Sequence, residues 1–166
     1  AEQLERDQRK QERLLKAAKL KLLATAQGIN YSHPRGLKQS VMGSLLQCLW
    51  ISKHQNLLLT GPCGSGKTYL ACALAHTACM KGFSVKYFRL SRLLLSLRQA
   101  KADGTYSKLL IHLAKQDLLI LDDWGLELKG RVCVDSSAAL GVVKRKGNGK
   151  LRHIRVTEQQ KRLFFV

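Results

Sequence analysis

One stretch of eight residues limits the folds open to this chain more than any other feature. Gly61, Pro62, Cys63, Gly64, Ser65, Gly66, Lys67 and Thr68 follow the pattern G-x-x-x-x-G-K-T. The stretch stands between a short apolar run, N-L-L-L-T at 56–60, and an Ala- and Leu-rich segment at 67–81. The run suits a buried strand and the segment a helix closed by Gly82, so the glycines fall at a strand-to-helix turn. Such a turn can wrap an anion. Gly64 and Gly66 let the backbone approach closely, and the amides from Gly64 to Thr68 converge at the positive end of a helix dipole. In that setting Lys67 is assigned to the β- and γ-phosphates of a nucleotide, and the Thr68 hydroxyl to Mg²⁺. Cys63 lies in the phosphate-contacting stretch at a variable position, with no separate role.

A second feature fits the first. Leu118, Leu119, Ile120 and Leu121 form an apolar run that ends in Asp122 and Asp123. Ligands of a parallel sheet sit in the crevice at the carboxyl ends of its strands, so these acids fall where the nucleotide lies. Asp122 is assigned to Mg²⁺, and Asp123 to the attacking water as orienting group or base. No Arg-bearing lid for a small acceptor substrate is evident, which favours hydrolysis over phosphoryl transfer.

Between these landmarks the chain alternates. Residues 1–27 read as an amphipathic basic helix, with Leu14, Leu15, Ala18, Leu22 and Ala26 on one face and Gly28 at its end. Residues 30–36 form a connector in which Pro34 stops a helix. A second helix is expected at 38–52, a strand at 84–88, helices at 91–102 and 105–115, and a strand at 117–122. Strands separated by helices imply a parallel sheet with crossovers, hence an α/β fold of the P-loop type. Cys72, His76 and Cys79 share one face of the helix after the glycine loop. That face packs on a sheet, so they read as core residues and no metal site is assigned.

Charge points to a polyanion. The chain carries 29 Lys+Arg against 11 Asp+Glu, a net charge of +18. Residues 1–55 hold ten bases and four acids, 56–128 nine and five, and 129–166 ten and two. Basic flanks neutralise phosphates and release counterions, so the backbone of duplex DNA is the expected partner. Aromatic residues make up only 6%, which gives no support for base stacking. No apolar run approaches the roughly 18 residues of a membrane span. The 30 N-terminal residues lack the apolar core of a secretory signal. The five cysteines form no C-x-x-C pair. The expected location is therefore the cytoplasm, with reduced thiols and no membrane partner.

Several stretches together resemble the IstB-like ATPases, which are helper proteins of insertion sequences related to the DnaC helicase loaders within the AAA+ class. They are Y-S-H-P-R-G-L at 31–37, H-Q-N-L-L-L-T-G-P-C-G-S-G-K-T-Y-L-A-C-A-L-A at 54–75, Y-F-R-L-S-R-L-L at 87–94 and D-L-L-I-L-D-D-W-G-L at 117–126. The D-D-W-G after the strand leans toward the transposition helpers rather than the loaders. The resemblance implies ATP and Mg²⁺ as cofactors and ATP-driven homo-oligomerisation on duplex DNA. It also implies hydrolysis stimulated by the transposase of the same element, which is directed to target DNA. By position, residues 61–68 bind the phosphates, Lys67 among them as a catalytic group. Asp122 serves Mg²⁺, and Asp123 stands where a catalytic base is carried. The alternative roles are helicase loading in replication and an inactive relic that binds DNA only through its basic flanks.

The pattern implies three divisions: a basic helix and connector at 1–37, a partial ATPase core at 38–128 and a divergent basic tail at 129–166. In AAA+ proteins a helix and then a strand ending in a polar sensor residue follow the acidic strand, and that strand inserts beside the P-loop strand. Arg131 to Asp135 (R-V-C-V-D) is the nearest strand-like piece, with Ser136 or Ser137 as stand-in sensors. Only eight residues separate Asp122 from Arg131, and a parallel crossover needs about a dozen or more. An arginine finger and second sensor are not evident either. The expectation is thus a C-terminally truncated or frameshifted copy with two unpaired strand edges, poor hydrolysis and marginal stability.

Overall fold

The computed structural model describes residues 2–32, 36–124 and 139–143. Helix α1 (Glu2–Ala18) leads into a single 3-10 turn at Ala26–Gly28. There follow α2 (Gln39–Leu46), α3 (Leu49–Ser52), β1 (Leu57–Leu59), α4 (Lys67–Met80) and β2 (Val85–Arg89). The chain continues through α5 (Leu90–Ala102), α6 (Tyr106–Ala114), β3 (Leu118–Trp124) and β4 (Ala139–Val143). The four strands form one sheet in the order β1-β4-β3-β2.

Alternation along the strands sorts the core into two faces. Val85 and Tyr87 of β2, Leu118 and Ile120 of β3, and Leu57 and Leu59 of β1 belong to a cluster with Ala71, Leu74, Ala75 and Ala78 of α4. Leu119 and Leu121 point the other way and pack with Leu93 of α5 and Leu113 of α6. Helices therefore cover both faces of the β2–β3 pair, which is why β3 reads as an unbroken apolar run. By parity Asp122 follows Leu118 and Ile120 onto the α4 face.

Three expectations change. The helix expected over 1–27 ends at Ala18, where Lys19 takes a left-handed φ of 51°. Lys86 Nζ donates to the Ala17 carbonyl at 2.7 Å and satisfies one of the carbonyls a helix leaves open at its end. Beyond that turn Ala24 is buried while Leu22 is largely exposed, so the helical stripe does not continue. The helix expected over 38–52 is two helices. Cys48 takes a φ of 60° between them, and Trp50 folds back to donate its indole N–H to the Leu45 carbonyl at 2.9 Å.

The sheet is also not left open between β1 and β3. Leu57, Leu58 and Leu59 pair with Val142, Gly141 and Leu140, and Leu119, Ile120 and Leu121 pair with Val143, Val142 and Gly141. β4 is antiparallel to both neighbours, whereas β2 and β3 run parallel. The sheet is thus mixed rather than wholly parallel. An antiparallel return needs no crossover helix, so the 14 residues between Trp124 and Ala139 suffice to place a strand in the central slot. The piece from Arg131 to Asp135, Ser136, Ser137, the basic residues 144–166 and Pro34 lie outside the described residues.

Candidate functional site

The site begins where β1 ends. After Leu59 the chain loops through 61–66 and enters α4 at Lys67, with Gly66 as N-cap at a φ of 87°. Gly64 also lies in the left-handed region, at 79°. A Cβ on Gly64 would meet nothing within 4 Å, so glycine is required there by backbone conformation rather than by space. The Ser65 amide donates to the Pro62 carbonyl at 3.3 Å and tightens the turn. The loop thus presents the first amides of a 14-residue helix at its open side. Lys67 folds over this loop, its Nζ donating to the carbonyls of Gly61 at 2.8 Å and Pro62 at 2.6 Å. Cys63 is exposed.

The acids sit across from the loop, at the carboxyl end of β3. The ladder to β4 is irregular between Leu121 and Trp124, and Asp123 takes a φ of 60° within that irregularity. Asp is among the residues that tolerate this conformation, and such a bulge re-aims neighbouring side chains. Asp122 is 5% exposed and is the one buried charged side chain among the described residues. Its Oδ2 accepts from the Thr68 hydroxyl at 3.1 Å and from the Tyr87 hydroxyl, and its Oδ1 accepts from the Asp123 amide at 2.9 Å. The Lys21 ammonium lies 4.0 Å from Oδ2. Buried carboxylate oxygens need such donors in place of water. The same contact and burial push the Tyr87 phenol far above its ordinary range, burial first.

The structure therefore brings Lys67, Thr68 and Asp122 to one place. It places Asp123 differently: its carboxylate faces Arg89, whose Nε lies 3.5 Å away at the end of β2. Both partners are partly solvated, so this pair orients more than it stabilises. Cys72 and Cys79 are fully buried on α4, and burial pushes the Cys79 thiol up to about 11. No group of three His, Cys, Asp or Glu side chains suited to a metal occurs among the described residues.

Three residues of the site escape a reading of motifs alone. Tyr87 has a local signal, since it shares the inward parity of Val85 and carries a hydroxyl into an apolar face. Arg89 stands opposite Asp122 in the β2–β3 register, which only the pairing reveals. Lys21 has no local signal. It arrives because α1 packs along β2 and α4, with the Gln11 amide donating to the Met80 carbonyl at 2.8 Å. The following segment turns back under α4, where a Cβ on Gly28 would run into the Tyr69 hydroxyl.

A family model described as IstB-like ATP binding protein matches residues 1–132. The chain belongs to this IstB-like family. It is 48% identical over 122 residues, 73% of its length, to a Pseudomonas fluorescens protein named for ATP binding in insertion sequence IS1162. It is 45% identical over 113 residues, 68% of its length, to an insertion-sequence protein of Sinorhizobium fredii named for the same property. Over 120 residues, 72% of its length, it is 33% identical to the Pseudomonas aeruginosa protein so named in insertion sequence IS21. These matches cover 53%, 46% and 45% of those relatives, so the chain spans about half the length of the curated relatives it matches. Family membership implies the P-loop NTPase fold. No helix among the described residues is long and apolar enough to cross a membrane.

Proposed function

We propose that this chain binds Mg²⁺-ATP between the loop at 61–68 and Asp122, as the nucleotide-responsive helper of an insertion-sequence transposition system. The observation that carries the reading is the 3.1 Å hydrogen bond from the Thr68 hydroxyl to the Asp122 carboxylate. It joins two oxygen donors 54 residues apart in sequence, one at the start of a helix and one at the end of a strand. Hydroxyl and carboxylate oxygens suit a hard cation such as Mg²⁺, which prefers few protein ligands alongside substrate phosphates. Thr68 and Asp122 would hold the ion, and the ion would neutralise charge on the β- and γ-phosphates. Lys67 would exchange its two carbonyl partners for phosphate oxygens within the same loop.

Turnover is a separate matter. The strand in the central slot reads Ala-Leu-Gly-Val-Val, with no polar residue to serve as a sensor. Asp123, the base by position, is engaged by Arg89. Binding with slow hydrolysis is the reading for this chain on its own, and basic flanks on duplex DNA with recruitment of the element's transposase complete the role.

The test is titration of a fluorescent ATP analogue into the purified chain with Mg²⁺. Saturable binding is expected, with Lys67→Ala weakening it at least tenfold, the scale of about 1.4 kcal/mol. No binding by the unaltered chain would overturn the nucleotide reading. Rapid phosphate release abolished by Lys67→Ala would overturn the expectation of slow hydrolysis.

A further inference from the structure

We propose that Tyr87 is a positioning residue for the Asp122 carboxylate, fixing the oxygen shared with Thr68 so that a divalent cation on a nucleotide's phosphates meets it in one orientation. This rests on the nucleotide reading above and extends it to a residue outside both motifs. Tyr87 lies on the inward face of β2, opposite Ile120, and is 8% exposed. Its ring therefore packs against the α4 face, and its hydroxyl reaches the end of β3 to donate to Asp122 Oδ2.

The donors on Asp122 are not equivalent. The Asp123 amide holds Oδ1 and is fixed by the backbone. Thr68 and Lys21 both face Oδ2, but neither holds it firmly. A hydroxyl that ligates a cation must turn its lone pair toward the ion, and the Lys21 side chain is 36% exposed with its ammonium 4.0 Å from the oxygen, beyond hydrogen-bond distance. Tyr87 alone is buried and anchored through its own strand. The terminal torsion of an aspartate is broad, so a donor on Oδ2 that does not move decides where that oxygen points. A partner of this kind, one step removed from the ion, typically contributes 10–100-fold to metal affinity. Phenylalanine fills the same space without the donor, so packing and positioning can be separated at this residue.

The experiment uses the whole chain and a fluorescent ATP analogue at fixed concentration, titrated with Mg²⁺, and repeated in EDTA. Tyr87→Phe is expected to raise the half-saturating Mg²⁺ concentration roughly tenfold or more, while metal-free nucleotide affinity stays within about twofold. In an Asp122→Asn background the same change is expected to have no further effect, since the carboxylate is gone. An unchanged Mg²⁺ midpoint in Tyr87→Phe overturns the proposal and leaves nucleotide binding standing. Equal losses with and without Mg²⁺, or an equal effect in the Asp122→Asn background, also overturn it by assigning Tyr87 a general packing role. Failure of the unaltered chain to bind the analogue at all overturns both readings together.

Discussion

Burial does two opposite things to side chains on the α4 face. Asp122 is buried with donors converging on both its oxygens, whereas Cys79, fully buried among apolar neighbours, is held as a thiol with its pKa pushed up to about 11. The consequence for stability has a definite sign. A thiol whose folded pKa exceeds its unfolded value of about 9 contributes fully below pH 9. That contribution falls as the unfolded chain, but not the folded one, loses its proton. Urea unfolding should therefore show a loss between pH 9 and pH 11, on the order of 2 kcal/mol from this residue. In Cys79→Ala the baseline stability is lower but the slope over that window is shallower. An identical slope in both proteins would assign the alkaline loss elsewhere. Cys48 and Cys72 are raised for the same reason, burial, and add to the total in the same direction.

At the scale of elements, the antiparallel β4 is the joint of the sheet, because β1 and β3 meet only through it. Gly141 pairs with Leu58 on one side and Leu121 on the other. Proline there removes a ladder donor from a central strand and leaves its acceptor unmet, so Gly141→Pro should lower stability by about 1–3 kcal/mol. A thermal or denaturant midpoint unmoved by that change would show that the ladder contributes little. The same element marks the limit of what the sequence discloses. α4 and β3 were legible because a glycine loop fixes the start of one and four consecutive apolar residues define the other. β4 was not, since Ala-Leu-Gly-Val-Val lacks alternation, contains a glycine and adjoins a basic run. The end of α1 was also hidden: apolar spacing continues through Leu22 and Ala26, yet tertiary contacts of Ala17 and Lys86 end the helix at Ala18. Within the site, Lys67, Thr68 and Asp122 follow from spacing, whereas Tyr87, Arg89 and Lys21 depend on strand register and on the docking of α1.

For the whole molecule, the excess of 18 positive charges sets how the chain meets polyanions. Among the described residues the exposed face of α1 carries Arg6, Arg9 and Lys10, with Arg6 and Arg9 bridged to Glu2 and Glu5 at 2.6 and 3.4 Å. Such exposed pairs are weak and yield readily to phosphate. Binding to duplex DNA should lose roughly a thousandfold in affinity between 50 and 200 mM salt if about six phosphates are engaged. Fluorescence anisotropy across that range with two unrelated duplexes should give similar slopes, as expected of contacts to the phosphate backbone. A flat salt response would remove DNA from the list of partners. Dependence of that binding on ATP and on Lys67 separates a nucleotide-responsive helper from a chain that only adheres through charge.

The arrangement of β4 also fixes an order of events during synthesis. The phosphate loop hangs from β1 and the buried carboxylate from β3, and the hydrogen bonds that join their strands come from residues made after both. Until residue 143 has left the ribosome, the helical half that carries the loop and the β2–β3 half that carries the acid share side-chain packing but no common ladder. A chain ending near residue 130 lacks the strand that sets the loop-bearing β1 in register with the aspartate-bearing β3. The link between the glycine loop and the aspartate is thus completed by the last of the four strands to be made.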